Sequence, residues 1–174
     1  KRLLISPQLK IFPKKKYLYK GNIIAAYQWV DESRIQRRFG SLERVRQNEN
    51  VNIFSLNADF EMPKTKKISV VYGFEFVGNK IKSNAFRERL SVIGNTITQS
   101  QFVGRFPSRY PNNGSSYFIS AAYSNLRMDL NTKSSFSIGA RYTSTKIKAG
   151  WINEQFLESR NLDLKIKNNA LTGS

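Results

Sequence analysis

The sequence contains no cysteine and no histidine among its 174 residues. Without cysteine, the chain can form neither a disulfide framework nor a thiolate metal site. Without histidine, it lacks the commonest metal ligand and the usual general base near neutral pH. Asp31 and Glu32 are adjacent, so on a strand their carboxylates point to opposite faces and cannot act as a pair. We therefore expect neither an enzyme active site nor a bound metal or cofactor.

Long apolar runs are also lacking. The longest, Ile23–Tyr27 and Val70–Tyr72, fall far short of the ~20 residues that a membrane-spanning helix needs. A helical membrane protein is therefore excluded. A β-barrel is not, because only every second residue of its strands faces lipid.

Acidic residues are scarce: 12 Asp and Glu stand against 29 Lys and Arg, for a net charge of +17. Such a charge suggests a nucleic acid or another polyanion when the basic residues share one face or one helix. Here we expect most of them in turns and loops, such as Lys14–Lys16, Lys64–Lys67 and Arg105–Arg109. We expect no nucleic-acid partner, and keep a soluble β-sheet module that binds polyanions through basic loops as an alternative.

The residues that are present alternate in polarity, as strands do. In Asn52–Met62, Phe54, Leu56, Ala58 and Phe60 share one face, opposite Ser55, Asn57, Asp59 and Glu61. After the connection Met62–Lys66, the apolar face continues with Val70, Tyr72 and Phe74, opposite Gly73 and Glu75. Because the apolar faces of the two strands coincide across the connection, we predict a hairpin that pairs Phe60 with Ile68, Ala58 with Val70 and Leu56 with Tyr72. We call the apolar side the outward face and the polar side the inward face.

The same alternation predicts roughly seven strands. Apolar outward faces are expected from Leu3 to Ile11, Ile23 to Trp29, Phe136 to Tyr142 and Leu162 to Ile166. In Tyr117–Leu130 we prefer Phe118, Ala122, Leu126 and Met128 outward, because the other phase requires a bulge near Ser124.

Short and long connections alternate along the chain. The short ones are Phe12–Lys16, Met62–Lys66 and Asn131–Ser135, and the long ones are Arg37–Asn48, Lys80–Ser115 and Ala149–Asn161. An outer-membrane barrel has this arrangement, with tight periplasmic turns and long external loops. The sequence therefore predicts an all-β, antiparallel up-and-down transmembrane barrel segment. Lys80–Ser115 is expected to be extracellular and mobile at its tip.

Three stretches carry a family resemblance. Ala25–Phe39, Arg46–Phe60 and Val71–Phe76 resemble the central barrel of TonB-dependent outer-membrane receptors, most closely those of Bacteroidetes-type bacteria. Ser137–Tyr142 is similar to the Gly-x-Arg-Tyr strand that recurs in these barrels.

The resemblance implies a barrel of about 22 strands closed by a plug, which imports scarce ligands such as ferric siderophores or haem. Residues 1–174 would then be part of one barrel domain, with the plug and the TonB-contact segment lying outside this sequence. The implied partners are the plug, the TonB complex, outer-membrane lipid, lipopolysaccharide and other surface proteins. A small complete barrel of eight strands, acting as an adhesin or scaffold, remains the membrane alternative.

Charged inward residues are the candidate lumen or plug contacts. Glu32 and Arg34 lie on one strand and Glu49 on the next, and a short hairpin near Gly40 would place Glu49 diagonally from Arg34, within reach for an ion pair. This group serves either as a ladder that stiffens the wall or as a ligand contact.

A second group comprises Arg127, Asp129 and Arg141. A turn at Asn131–Ser135 would place Arg127 opposite Gly139 and make Arg141 its diagonal neighbour. Two cations so close repel each other, and Asp129 supplies only one acid. We therefore expect carboxylates of a plug to dock against the two arginines.

Overall fold

The computed structural model describes residues 1–152 and 162–174. Every regular element in these residues is a strand. The strands are β1 (Arg2–Ile5), β2 (Gln8–Ile11), β3 (Lys20–Arg37), β4 (Glu43–Glu61), β5 (Ile68–Ile93), β6 (Thr96–Arg105), β7 (Ser115–Asp129), β8 (Ser135–Trp151) and β9 (Leu162–Gly173). Within this part of the chain, no helix has the length and apolarity to cross a membrane.

The strands form one antiparallel sheet in the order β1-β3-β4-β5-β7-β8-β9. β2 lies beside β3 in line with β1, and β6 lies beside β5 in line with β7. The sheet therefore has seven positions, which confirms the predicted strand number and the up-and-down antiparallel fold. Among the described residues, β1 and β9 do not pair with each other, so the sheet is open.

The outward faces coincide across the sheet. Ala58 of β4 pairs with Ile23 of β3 and with Phe74 of β5. Phe74 pairs in turn with Ala122, and Ala122 with Tyr142. The preferred phase of Tyr117–Leu130 is confirmed, since its register runs from Ser115 to Asp129 without a bulge.

The predicted register of the β4–β5 hairpin is wrong by four residues. Phe60 pairs with Tyr72 instead of Ile68, and Ala58 with Phe74 instead of Val70. The turn closes later than predicted, because the Thr65 amide donates to the Ile68 carbonyl oxygen and the Ile68 amide donates to the Thr65 hydroxyl. A shift by an even number of residues leaves each side chain on its predicted face.

Two predicted long loops are mostly strand. The connection Arg37–Asn48 reduces to residues 38–42, with Gly40 at φ 72°. In Lys80–Ser115, β5 continues to Ile93 and returns through Gly94 (φ 61°) as β6, which leaves only residues 106–114 as a loop. Backbone pairing holds these polar strands in place beyond the apolar region. The connection predicted to be short at Phe12–Lys16 spans residues 12–19, and most of Ala149–Asn161 lies outside the described residues.

The predicted phase of the last strand is also wrong. Leu162, Leu164 and Ile166 pair with Trp151, Ala149 and Ile147, which lie on the inward face with Arg141. The outward positions between these residues are instead occupied by Asp163, Lys165 and Lys167. In this upper part of β8 and β9, polarity is inverted relative to the lower part, so alternation alone does not identify the face.

Candidate functional site

One row of side chains crosses the inward face at the middle of the sheet. Asp59 of β4, Gly73 of β5, Tyr123 of β7 and Arg141 of β8 are consecutive register partners. The Tyr123 hydroxyl donates a hydrogen bond to Asp59 Oδ1 across Gly73. A Cβ at Gly73 would overlap the Tyr123 ring and lie 2.6 Å from the Ala58 carbonyl oxygen. Only glycine lets the tyrosine cross this strand.

Arg141 connects this row to the next. Its Nη2 donates to Glu75 Oε2 at 2.5 Å, its Nε donates to the Thr143 hydroxyl at 3.2 Å, and its guanidinium lies 5.8 Å from the Tyr123 ring centroid. We call Asp59, Glu75, Tyr123 and Arg141 the central network. It contains two carboxylates and one guanidinium, so it carries a net negative charge and retains acceptor capacity.

The second predicted group is assembled differently from expectation. Arg34 pairs with Gln47, so Glu49 is its diagonal neighbour as predicted, but Arg34 forms no ion pair within the described residues. Glu32 and Glu49 are direct register partners, and Arg109 Nη1 lies 3.9 Å from Glu32 Oε1 and 3.8 Å from Glu49 Oε2. Two opposed carboxylates repel each other, so a guanidinium between them is favourable.

Arg109 belongs to the loop of residues 106–114, which sequence analysis assigned to a mobile tip. Through Arg109 this loop folds back over the inward face, and the Glu49 side chain is only 4% exposed beneath it. Neither Glu49 oxygen accepts a hydrogen bond within the described residues. No periodicity in the sequence connects a loop arginine to these strands, so residue patterns could not identify it.

The third predicted group is wrong in its register. Arg127 pairs with Ser137, and Gly139 pairs with Asn125. Arg141 therefore lies four residues beyond the partner of Arg127 and is not its diagonal neighbour. Each arginine has its own acid: Arg127 Nε lies 3.3 Å from Asp129 Oδ1, and Arg141 binds Glu75. The predicted pair of uncompensated cations does not exist.

A further charged cluster lies on the upper outward face, beyond the apolar strand segments. Arg44 Nε donates to Glu88 Oε2 at 2.5 Å, and Arg46 Nε lies 3.7 Å from the same oxygen. Burial acts to raise the pKa of Glu88, but the hydrogen bond and positive charge of Arg44, together with Arg46, prevail and lower it below its ordinary value of 4.5. This cluster holds the upper part of β5 against β4.

The outward face is apolar and yet uncovered. Phe54 is 50% exposed and Phe136 is 53% exposed, while the described residues hold few fully buried apolar side chains. A single sheet layer cannot bury its own apolar face in water. Charges on the inward side and exposed phenylalanines on the outward side are the arrangement of a barrel wall in lipid.

The profile of the outer membrane protein beta-barrel family matches residues 17–164. The chain belongs to this family. No curated protein and no solved structure matches the chain. Membership places the protein in the bacterial outer membrane, so the reading as a soluble polyanion-binding module is wrong.

The outward apolar band also gives the tilt of the strands. On β8 the band runs from Phe136 to Tyr142, centred on Gly139. If the register partners are followed from Gly139 across β7, β5 and β4 to β3, the fourth step arrives at Lys20. The apolar band of β3, Ile23–Trp29, is instead centred on Ala26, six residues further along the strand. Six residues are ~20 Å along the strands and four steps are ~19 Å across them. The strands therefore cross the apolar band at about 45°, within the range of outer-membrane barrels.

The chemistry available on the inward face is hydrogen bonding and ion pairing. No group of three or more metal-ligating side chains occurs in the described part of the chain. Asp59, Glu75, Tyr123 and Arg109 were not selected from the sequence. Sequence alternation identifies Asp59 and Glu75 as inward residues, and the preferred phase of Tyr117–Leu130 implies the same for Tyr123. A contact between positions 59 and 123, however, depends on which strands are neighbours.

Proposed function

We propose that the chain is part of the barrel wall of an outer-membrane receptor that imports a scarce nutrient, such as a ferric siderophore or haem, with energy from the TonB complex. The central network is the observation that carries this proposal. A charged, hydrogen-bonded inward face at the depth of the apolar band is suited to a lumen filled with water or with another polar domain. The resemblance of Ala25–Phe39, Arg46–Phe60 and Val71–Phe76 to TonB-dependent receptors narrows the class to plugged barrels.

In this function, the central network has two roles. Its internal pairs keep the wall rigid while a plug moves inside it. Its surplus carboxylate oxygens, on Asp59 and Glu75, provide acceptors for donors on the plug surface. We therefore expect plug arginines, lysines or backbone amides to face this part of the wall, in place of the plug carboxylates inferred from sequence.

The extent of the strands also supports the proposal. β5 has 26 residues and β4 has 19, well beyond the ~10 residues that a tilted strand needs to cross the membrane. The excess forms a wall above the apolar band, lined on its inward side by Glu32, Glu49 and Arg109. A wall of this height would enclose a vestibule in which an external ligand is held before import.

Gene deletion in the native bacterium provides the test. We expect strains that lack the full-length protein, and strains that lack TonB, to lose uptake of the same iron source, measured with radiolabelled ferric siderophore or haem. Re-expression of the full-length protein should restore uptake only when TonB is present. Uptake that persists in both deletion strains would contradict the proposal.

The small complete barrel predicts a different result. A structural barrel or adhesin would leave iron uptake unchanged on deletion, and its function would not depend on TonB. The apparent mass of the folded barrel separates the two independently, because eight strands and about 22 strands differ severalfold in chain length.

A further inference from the structure

Six lysines occupy the outward face above the apolar band. They lie on three strands, and we call them the lysine array: Lys80 and Lys82 on β5, Lys146 and Lys148 on β8, and Lys165 and Lys167 on β9. All six are exposed. None of the ion pairs formed within residues 1–152 and 162–174 includes any of them, so their charges are uncompensated by the described chain.

The height of the array matches the lipid headgroups. Phe76 ends the outward apolar run of β5, and Lys80 follows four residues later, ~13 Å along the strand and about 9 Å higher at the observed tilt. On β8 the same interval separates Tyr142 from Lys146. Headgroups begin where the hydrocarbon ends, so these ammonium groups lie in the interfacial layer.

The pairing within the array is unfavourable without an anion. Lys146 is the direct register partner of Lys167, and Lys148 that of Lys165. Like charges directly opposite on neighbouring strands destabilise a sheet. On the described part of this face, only Asp31 and Asp163 lie at the level of the array, so two carboxylates stand against six lysines.

A cavity of about 700 Å³ opens between these lysines. Lys80, Lys82 and Lys148 line it, together with the acidic residues Asp31 and Glu49. Of the strand residues in its lining, eight face outward in the register, including Asp31 and the three lysines, and four face inward, including Glu49, so the cavity lies mostly on the outward side. The upper end of the cavity lies beside β5 residues 82–85. On one side, β5 pairs with β7 up to Ile81 and with β6 from Phe86, so the four residues between have no strand neighbour there.

The lining of the cavity is complementary to a phosphorylated sugar. Besides the lysines it presents the side-chain amides of Asn50, Asn84 and Asn113, which can donate to and accept from sugar hydroxyls. Lysine ammonium groups bind phosphate as point charges. A cavity of this volume is within the range of small-molecule binding sites.

We propose that the lysine array binds the phosphorylated glycolipid headgroup of lipopolysaccharide in the outer leaflet. The array is at the end of the strands opposite the turns near Thr65 and Thr132, which is the external end when tight turns are periplasmic. Lysines on an edge strand also discourage edge-to-edge pairing. Protection of an edge does not account for Lys80, because β5 pairs there with both β4 and β7.

The test measures the affinity of the full-length protein, in neutral detergent, for purified lipopolysaccharide. The array variant carries Lys80→Gln, Lys82→Gln and Lys148→Gln. The matched control removes three charges at the opposite end of the strands, with Lys64→Gln, Lys66→Gln and Lys67→Gln. We expect about 10- to 100-fold weaker binding by the array variant, and a change of no more than about twofold in the control. Dephosphorylated lipopolysaccharide should bind to the unmodified protein as weakly as intact lipopolysaccharide binds to the array variant.

Three outcomes would overturn the proposal. If the array variant and the control lost the same affinity for lipopolysaccharide, the binding would depend on net charge and not on the lysine array. Equal affinity for dephosphorylated lipopolysaccharide would remove phosphate from the recognition, and full competition by millimolar inorganic phosphate would indicate a free-anion site. If the array variant does not fold, the set Lys80→Arg, Lys82→Arg and Lys148→Arg should retain affinity while Lys82→Gln alone loses part of it. Loss in the arginine set, or none in the single variant, would also contradict the proposal.

Discussion

An arginine placed on the outward face of β4 provides a direct test of which face meets lipid. Ala58 pairs with Ile23 and Phe74 on that face, and it lies one residue, or ~3 Å, from the centre of the outward run Phe54–Phe60. A guanidinium at the midplane on the lipid side of a barrel costs about 2–4 kcal/mol. Ala58→Arg should therefore lower the free energy of unfolding by that amount.

The neighbouring residue provides the matched control. Asn57 is at the same depth but on the inward face, where its register partners are Ile24 and Glu75. Asn57→Arg would place a cation beside the Glu75 carboxylate, so we expect a change within about 1 kcal/mol. Ala58→Leu separates charge from size, because a larger apolar side chain on the lipid side should cost little.

The measurement is reversible guanidinium unfolding of the full-length protein in phospholipid vesicles, with the three variants compared at constant lipid. A difference of about 2–4 kcal/mol between Ala58→Arg and Asn57→Arg would confirm the face assignment. Equal costs for these two variants would refute it, because no barrel orientation gives both positions the same environment.

Three further predictions follow from individual contacts. Gly73→Ala should destabilise the protein by about 1–3 kcal/mol by displacing Tyr123, whereas Gly78→Ala, whose Cβ would lie 3.5 Å from the nearest ring, should cost much less in the same unfolding assay. The pKa of Glu88 is lower in the folded protein than in the unfolded chain, so Glu88 stabilises the fold above its unfolded pKa and loses this effect as the pH falls through the folded value. Hydrogen exchange at the top of β5 should therefore accelerate in acid. Glu88→Gln should remove that pH dependence. Arg109→Gln should release residues 106–114 and increase their cleavage by protease added to whole cells, and an unchanged rate would show that the ion pairs to the two glutamates do not hold the loop.

The sequence by itself determined the fold class and most of the faces. Alternation with a period of two places Phe54, Phe74 and Phe136 on one side and Asp59 and Glu75 on the other, whatever the register, because any even shift preserves the side. The same reasoning determined that the sheet is antiparallel and has about seven positions.

Only the tertiary structure decided which residues meet. The Thr65 turn shifted one hairpin by four residues, and a two-residue shift in the next hairpin separated Arg127 from Arg141. Turn closure depends on a few hydrogen bonds that polarity patterns do not encode. Contacts such as Tyr123 with Asp59, or Arg109 with Glu49, join residues more than 50 positions apart, so they required the order of strands. The lysine array became visible for the same reason: its members come from three strands, and only the register brings them to one level of one face.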